Sequence, residues 1–448
     1  MGQVVSKPAD LGRSGWEAIL PARQPCAALD SDIDCDYLVV GAGFAGLAAA
    51  RRLRQLDAQA RIAIVEAREV AGGPAGRNSG FLIDLPHSLA SGSYVGDDSD
   101  DRRNIRLNRA AIDFAAELAH SRAFAEDAFA RRGKINAAAS RGGMRHNHEY
   151  ASHLEQLGEP FELLDAGNMQ AVCGSDYYQG GLRTPGSAII QPALFVRSFA
   201  ETLRDVDGVQ LYENSAVIEM SRVGDGWRLC SQHGSVRAER VILAVNGLIE
   251  SFGFYRHRLM HINLYGSMTR ALTDDEIAEL GGQPNWGFTP ADPLGSTVRR
   301  LDARDGGTRI VIRNRCTYEA SLSLPANRLQ PIARVHRRTF DVRFPMLRHV
   351  ELEHCWSGRL CLSRNESWAL GELQPGLYSA CCQNGLGATR GLVAGIVAAE
   401  MACPGKGDSL VPDYRPQALP SKLFPEPFMT LGARSVIRLR EWRAGREL

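Results

Sequence analysis

Apolar and polar positions along the chain change period in a definite order. Asp36-Tyr37-Leu38-Val39-Val40 is a short apolar run ending on glycines, the mark of a buried strand that enters a tight turn. From Ala45 to about Leu56 the pattern is helical, and Arg61-Ile62-Ala63-Ile64-Val65-Glu66 returns to a strand. This opening predicts a β-α-β unit with parallel strands. Over residues 108–132, Ile112, Phe114, Ala115, Leu118, Ala119 and Phe124 put one apolar face on a helix. A second amphipathic helix is predicted over 193–206, after Gln191-Pro192, with strands at 209–212, 227–230 and 240–246. Between 256 and 353 the helical signal is thin, while 264–272, 296–301, 309–315 and 350–354 carry strand patterns. The chain closes on an apolar strand at 376–382, a glycine turn and a helix over about 389–401, mirroring its opening.

Length turns this pattern into at least two domains, since 448 residues exceed the roughly 250–300 at which one hydrophobic core stops growing. A formal charge of +1 gives no field for polyanions, and no basic run interleaved with aromatics is present, so nucleic acid is excluded as a partner. Only Lys7, Lys134, Lys406 and Lys422 are lysines, which constrains any chemistry that needs one. Ten cysteines without C-x-x-C spacing read as reduced thiols, and no metal-ligand cluster is expected. The polar first 35 residues do not resemble a signal peptide, and nowhere do 18 uncharged apolar residues run together, so a cytoplasmic location is expected. Met1-Gly2-Gln3-Val4-Val5-Ser6 fits an acylation template, although so short a pattern arises easily by accident.

The chemistry begins at Gly41-Ala42-Gly43-Phe44-Ala45-Gly46. In a G-x-G-x-x-G turn the first glycine permits the tight bend and the second lets a pyrophosphate approach the backbone. The third allows close helix–strand packing. Phosphate then rests on the helix N-terminus, where free amides favour negative charge. Glu66 ends the second strand 20 residues beyond Gly46, where a carboxylate can hold ribose hydroxyls. A lone fingerprint is weak, but strand, turn, helix, strand and terminal acid occur here in order. The segment by itself leaves FAD and NAD both open.

Downstream, Gly72-Gly73-Pro74-Ala75-Gly76-Arg77-Asn78-Ser79-Gly80 resembles the glycine-rich second signature of the D-amino-acid oxidase superfamily, in the branch of the gamma-glutamylputrescine oxidases. Pro74 and Ala75 depart from the usual Ala-Ser. Arg240 to Gly247, Gln191-Pro192 and Gln383-Asn384-Gly385-Leu386-Gly387-Ala388-Thr389 are similar to further family segments in the expected order, with Asn384 and Leu386 where relatives have Ser and His. The resemblance implies an FAD-binding Rossmann-like domain of glutathione-reductase type, α/β, joined to an α+β substrate domain with a mostly antiparallel sheet. It implies a lead-in at 1–35, a discontinuous FAD domain at 36–90, 186–255 and 355–405, a substrate domain at 91–185 and 256–354, and a tail at 406–448. Cofactor contacts are expected from Gly41, Gly43, Phe44, Ala45, Gly46, Glu66, Ala67, Arg68, Gly76, Arg77, Asn78, Ser79, Val217, Asn246, Gly247 and the stretch Asn384, Gly385, Leu386, Gly387, Ala388, Thr389.

The resemblance further implies oxidation of an amine or amino acid by hydride transfer to flavin N5, giving an imine that hydrolyses. Tyr265, Arg300 and Trp356 are the expected substrate-side residues. On strand alternation only one of Arg299 and Arg300 can face the site, and both also read as solvated strand residues. His87 is close enough in sequence to face the cofactor. Cys355 and Cys361 lie near the position at which some relatives attach FAD, yet neither falls on it, so non-covalent FAD is expected. Oxygen, or a quinone or partner protein, would take the electrons. A non-catalytic flavoprotein remains an alternative, whereas an NAD(P)H-dependent reductase would need a second nucleotide fingerprint that the sequence lacks. Val436, Ile437, Leu439 and Trp442 among arginines predict an amphipathic basic C-terminal helix, the one element expected to touch a membrane, with docking on the body as its plainer reading. The oligomeric state is left open.

Overall fold

The computed structural model describes residues 2–4, 10–86, 95–322, 324–405, 409–414 and 418–448. His87 lies outside them, as do Met1, Val5 and Ser6 of the acylation template. Two large sheets organise the molecule, with a small three-stranded one between their segments in sequence. In the first sheet the strand Asp32–Val40 pairs in parallel with Ile62–Val65 on one side and with Ser235–Leu243 on the other. Gln210–Tyr212 extends the parallel edge. Leu377–Cys381 lies parallel to the end of Ser235–Leu243, so the closing strand comes to rest one position away from the opening one. Leu38 and Val39 are fully buried because helices cover the sheet, as a near-continuous apolar run requires. The opening helix, Phe44–Leu56, packs directly on the closing helix, Thr389–Ala402.

The second sheet runs Leu352–Ser363, Leu259–Thr269, Gly307–Tyr318, Thr297–Ala303, Trp286–Pro290, Lys134–Ala138, Gly180–Thr184, Glu162–Asp165. Its pairings are antiparallel except where Trp286–Pro290 meets Lys134–Ala138. The fold is thus the expected one, a Rossmann-like sheet joined to a mostly antiparallel sheet. The expected domain boundary between 354 and 355 falls inside the strand Leu352–Ser363, all of which belongs to the second sheet.

Several expected elements shift. The helix anticipated over 108–132 is Asp98–Ser121, started by Asp97, whose side chain accepts from the amides of Ser99 and Asp100. Its acidic first turn suits the positive end of a helix dipole but hides the apolar period. Phe124 lies beyond its end and packs edge-on against Phe195 at 6.0 Å. The region thin in helical signal holds Leu329–Arg343, in which Ile332, His336, Thr339, Phe340 and Arg343 form the buried stripe. Its polar and charged members disguised a helical period that burial makes plain. The lead-in is also structured: Trp16 is fully buried and donates from its indole nitrogen to the Asn78 carbonyl at 2.8 Å.

Candidate active site

The turn at Gly41 sets one end of a cavity of about 580 Å³. Gly41 has φ +104, and a side chain at Gly46 would bring its Cβ within 1.7 Å of the Gly41 carbonyl oxygen, so bend and packing both depend on glycine. The position of Gly43 is open instead, with only Ala75 Cβ at 3.5 Å. Glu66 is held by the amides of Ala42 at 2.8 Å and Arg68 at 3.0 Å. Burial raises its pKa, and these two amide donors oppose the rise. Gly41, Gly43, Phe44, Ala45, Glu66, Ala67, Arg68 and Val217 all line this end, while Gly46 packs behind it.

Residues 72–80 form the next wall. Pro74–Gly76 is a single 3-10 turn with Pro74 at its start, where a missing amide costs nothing, so the departure from Ala-Ser fits the backbone. Arg77 lines the cavity, but its guanidinium is committed to backbone: Nε donates to the Gly72 carbonyl at 2.8 Å and Nη1 to those of Gly12 at 2.8 Å and Ser357 at 3.1 Å. Asn78 bridges its own loop, donating to Ala75 and accepting from the Gly80 amide. Ser79 lines the cavity, and Gly76 lies behind it. Val4 and Asp10 also reach the cavity, a contribution from the lead-in that its unpatterned sequence did not announce.

At the closing turn, Asn384, Gly385, Leu386, Gly387, Ala388 and Thr389 all line the cavity, as do Asn246 and Gly247. The Asn384 side chain is used internally: Oδ1 accepts from the Ser363 amide at 2.7 Å and Nδ2 donates to the Glu366 carbonyl at 2.9 Å. Leu386 packs with Phe81, Ile83 and Ile189, supplying apolar surface. The Thr389 hydroxyl accepts from the Ile83 amide at 2.8 Å.

The helices differ in how their first turns are satisfied. Helices starting at Asp98, Arg141, Ala166, Pro192 and Asp274 are each capped by a side chain. Phe44–Leu56 and Thr389–Ala402, which begin at the cavity, have no side-chain cap, and neither do Gly15–Ala18, Leu329–Arg343 and Phe428–Ala444. The first amides of Phe44–Leu56 are left for an anionic ligand, whereas at the closing helix the Arg390 and Gly391 amides already donate to the Leu386 and Gly387 carbonyls, leaving only the turn before them to face one. With the open cradle at Gly43 and the acid at Glu66, the residues present fit a dinucleotide that carries a flavin.

The opposite wall comes from the second sheet. Of the three expected substrate-side residues only Tyr265 lines the cavity; its hydroxyl lies 2.7 Å from the Thr317 hydroxyl, and burial raises its pKa. Arg300 is elsewhere, buried and donating to the Gly281 carbonyl at 2.5 Å. Trp356 is a core residue whose Nε1 donates to the Arg77 carbonyl at 3.0 Å. Arg299 is buried as well, between the rings of Trp16 and Phe81, donating to the carbonyls of Ser79, Gly80 and Ile190. The expectation of solvated strand faces therefore fails for both arginines. Besides Arg68 and Arg77, the cations that reach the cavity are Arg313, Arg315 and Arg359, together with Arg440 from the C-terminal helix. Arg313 donates to the Ser79 hydroxyl at 3.2 Å, and Arg315 pairs with Glu441 at 2.5 Å. Thr297, paired across the sheet with Arg313, presents a buried hydroxyl that has no hydrogen-bond partner. Period-2 alternation marked 309–315 as a strand, but only the register with 297–303 shows which arginines face inward.

Cys361 is turned away, donating to Asn246 Oδ1 at 3.1 Å, and neither it nor Cys355 lines the cavity. Cys316 does, with its thiol pushed up to about 11 by burial. Among the described residues no group of acids, histidines and cysteines could hold a metal ion.

Residues 36–401 match the model of the family described as FAD dependent oxidoreductase, DAO. Gamma-glutamylputrescine oxidoreductase of Escherichia coli is 25% identical over 382 residues, 84% of this chain and 85% of that protein. A probable oxidoreductase OrdL of Rhizobium meliloti is 23% identical over 88% of this chain and 89% of its own length. Among solved structures, glycine oxidase from Geobacillus kaustophilus superposes with a TM-score of 0.65 at 18% identity, covering 82% of this chain and 94% of that one. L-amino acid deaminase from Proteus myxofaciens in complex with anthranilate gives 0.64 at 14% identity, over 88% and 94%.

Proposed function

Since the chain belongs to the DAO family of FAD-dependent oxidoreductases, we propose that it oxidises the carbon–nitrogen bond of a small amine or amino acid. FAD is its cofactor, and when bound it supplies the acceptor for a hydride equivalent from the carbon beside nitrogen, at flavin N5. The nitrogen loses a proton, and the resulting imine takes up water to give an aldehyde or keto acid plus amine or ammonia. The carrying observation is one continuous cavity, with uncapped helix ends, Gly43 and Glu66 at one end and Tyr265, Thr297 and Arg313 at the other. In this reading Gly43, Phe44, Ala45 and Ala388 face the cofactor phosphates and ring through backbone, and Glu66 takes the ribose. Arg77 and Asn78 shape the loop beneath the flavin rather than reaching out to it. FAD is held without a covalent bond.

The protein's part at the reacting end is positioning. Arg313 gives the chamber a cation suited to a carboxylate on the substrate, the charge of Arg315 beside it being met by Glu441, and the unpartnered Thr297 hydroxyl supplies a donor next to Arg313. Tyr265 closes the chamber and keeps its proton. Among the described residues Lys134 and Lys422 are the lysines, and neither lines the cavity. That favours a second reading of the electron exit, in which a quinone or partner protein, rather than dioxygen, reoxidises the enzyme. No helix among the described residues is long and apolar enough to cross a membrane; we place the enzyme in the cytoplasm.

Anaerobic mixing of the purified protein with a panel of amines and amino acids tests the reading. A carboxylate-bearing amine should bleach the flavin band, and re-oxidation should be faster with a quinone analogue than with dioxygen. A flavin that no amine bleaches would refute catalysis of this kind, and faster re-oxidation by dioxygen would refute the second reading alone.

A further inference from the structure

The C-terminal helix, Phe428–Ala444, is amphipathic in an unusual sense. At about 100° per residue, Met429, Ala433, Ile437, Glu441 and Ala444 form one stripe. This stripe faces the body: Met429 and Ala444 are buried, Ile437 and Glu441 line the cavity, and Glu441 pairs with Arg315. The opposite stripe spans about 80° and holds Leu431, Trp442, Ser435, Phe428 and Leu439. Its large side chains point to solvent, with Phe428 69% exposed, Leu431 61%, Leu439 47% and Trp442 79%. An ordinary surface helix turns its apolar face inward and its polar face outward. Here the outward face is apolar as well as the inward one.

The concentration is specific to this end of the molecule. Eleven large apolar side chains are exposed among the described residues; apart from Leu163, Val206, Ile218 and Val342, all lie between Leu419 and Trp442. Arg434 and Arg438 flank the outward stripe on one side and Arg443 on the other, and all three are exposed. The only acid of the helix, Glu441, is turned to the body. The helix is also held firmly. Just beyond it, the Glu447 carboxylate accepts from the Ala139 amide at 3.0 Å and from the Ser140 hydroxyl at 2.6 Å, and the Leu448 carbonyl accepts from Asn314 at 3.1 Å. Its outward face is therefore presented by a fixed element.

We propose that this face seats the protein on an anionic lipid surface, with Phe428, Leu431, Leu439 and Trp442 entering the boundary between headgroups and acyl chains and Arg438 and Arg443 meeting the phosphates. Charge favours this occupant over a second copy of the chain, because two such faces would set their arginine flanks against each other. The proposal does not depend on which amine is oxidised.

Co-sedimentation of the FAD-loaded full-length protein with vesicles tests it. Vesicles of equal parts phosphatidylglycerol and phosphatidylcholine should carry the protein down, and phosphatidylcholine alone should not. Reversing two charges in Arg438→Glu/Arg443→Glu should weaken binding by about tenfold or more, and added salt should do likewise. Leu431→Glu/Trp442→Glu should abolish binding while leaving the flavin spectrum and the thermal midpoint unchanged, which separates lost docking from lost folding. Failure to bind the anionic vesicles, equal binding to the neutral ones, or a self-associated form dispersed by Leu431→Glu/Trp442→Glu would each overturn it.

Discussion

The two ends of the cavity are built by different means. The nucleotide end is made of backbone from segments local in sequence: a glycine turn, two uncapped helix starts and one carboxylate held by amides. The far end is made of side chains that strand register brings together, such as Thr297 opposite Arg313 and Tyr265 above Thr317. Backbone sites tolerate changes in neighbouring side chains, and side-chain sites do not. A cofactor common to a family can thus be kept at one end while the substrate changes at the other.

The largest predicted effect separates the ends cleanly. Gly46→Val would force a side chain into the Gly41 carbonyl, so the turn cannot form, at a cost of about 3 kcal/mol or more. The purified variant should lack the flavin absorbance band; retention of stoichiometric FAD would contradict the role given to the turn. Arg313→Met should instead leave the spectrum intact and weaken capture of a carboxylate-bearing substrate by about a hundredfold, read as KM. An unchanged KM would remove Arg313 from substrate recognition.

A third prediction concerns folding beneath the far end. His336 is buried, with Nδ1 2.7 Å from the Ser267 hydroxyl, and burial lowers its pKa to about 4. The unfolded chain, with histidine near ~6.5, then binds more protons than the folded one through the window between the two values. Stability is full above ~6.5 and falls as pH drops towards about 4. Urea unfolding at roughly pH 7 and roughly pH 5 should show a loss on the order of 2 kcal/mol from this residue. His336→Gln should flatten that part of the slope, and an equal slope in the variant would count against the assignment. The smallest effect is expected from Thr297→Val, about fivefold in KM with unchanged cofactor content, since only one neutral donor is lost.

The same contrast explains what could be read from sequence. Nearly all expected cofactor-end residues line the cavity because glycine spacing and strand-to-helix switches are written in consecutive positions; Gly46 and Gly76 support it from behind. Arg300 and Trp356 were reasonable by resemblance, yet the structure commits one to the Gly281 carbonyl and the other to the Arg77 carbonyl. Choosing Arg313 and Arg315 over Arg299 and Arg300 needs the register of two strands and the bulge in the neighbouring one, which no local pattern encodes. The lead-in was opaque for a related reason. Its value lies in single long-range bonds, such as Ser14 to the Gly76 carbonyl, and not in a period.

The central claim, that one chamber joins an FAD site to an amine site, is tested most directly by a single anaerobic turnover with product counted against flavin. Hydride transfer from a carbon–nitrogen bond predicts one aldehyde or keto acid formed for each flavin bleached. A protein that binds no FAD, or a flavin that bleaches without stoichiometric carbonyl product, would contradict the account.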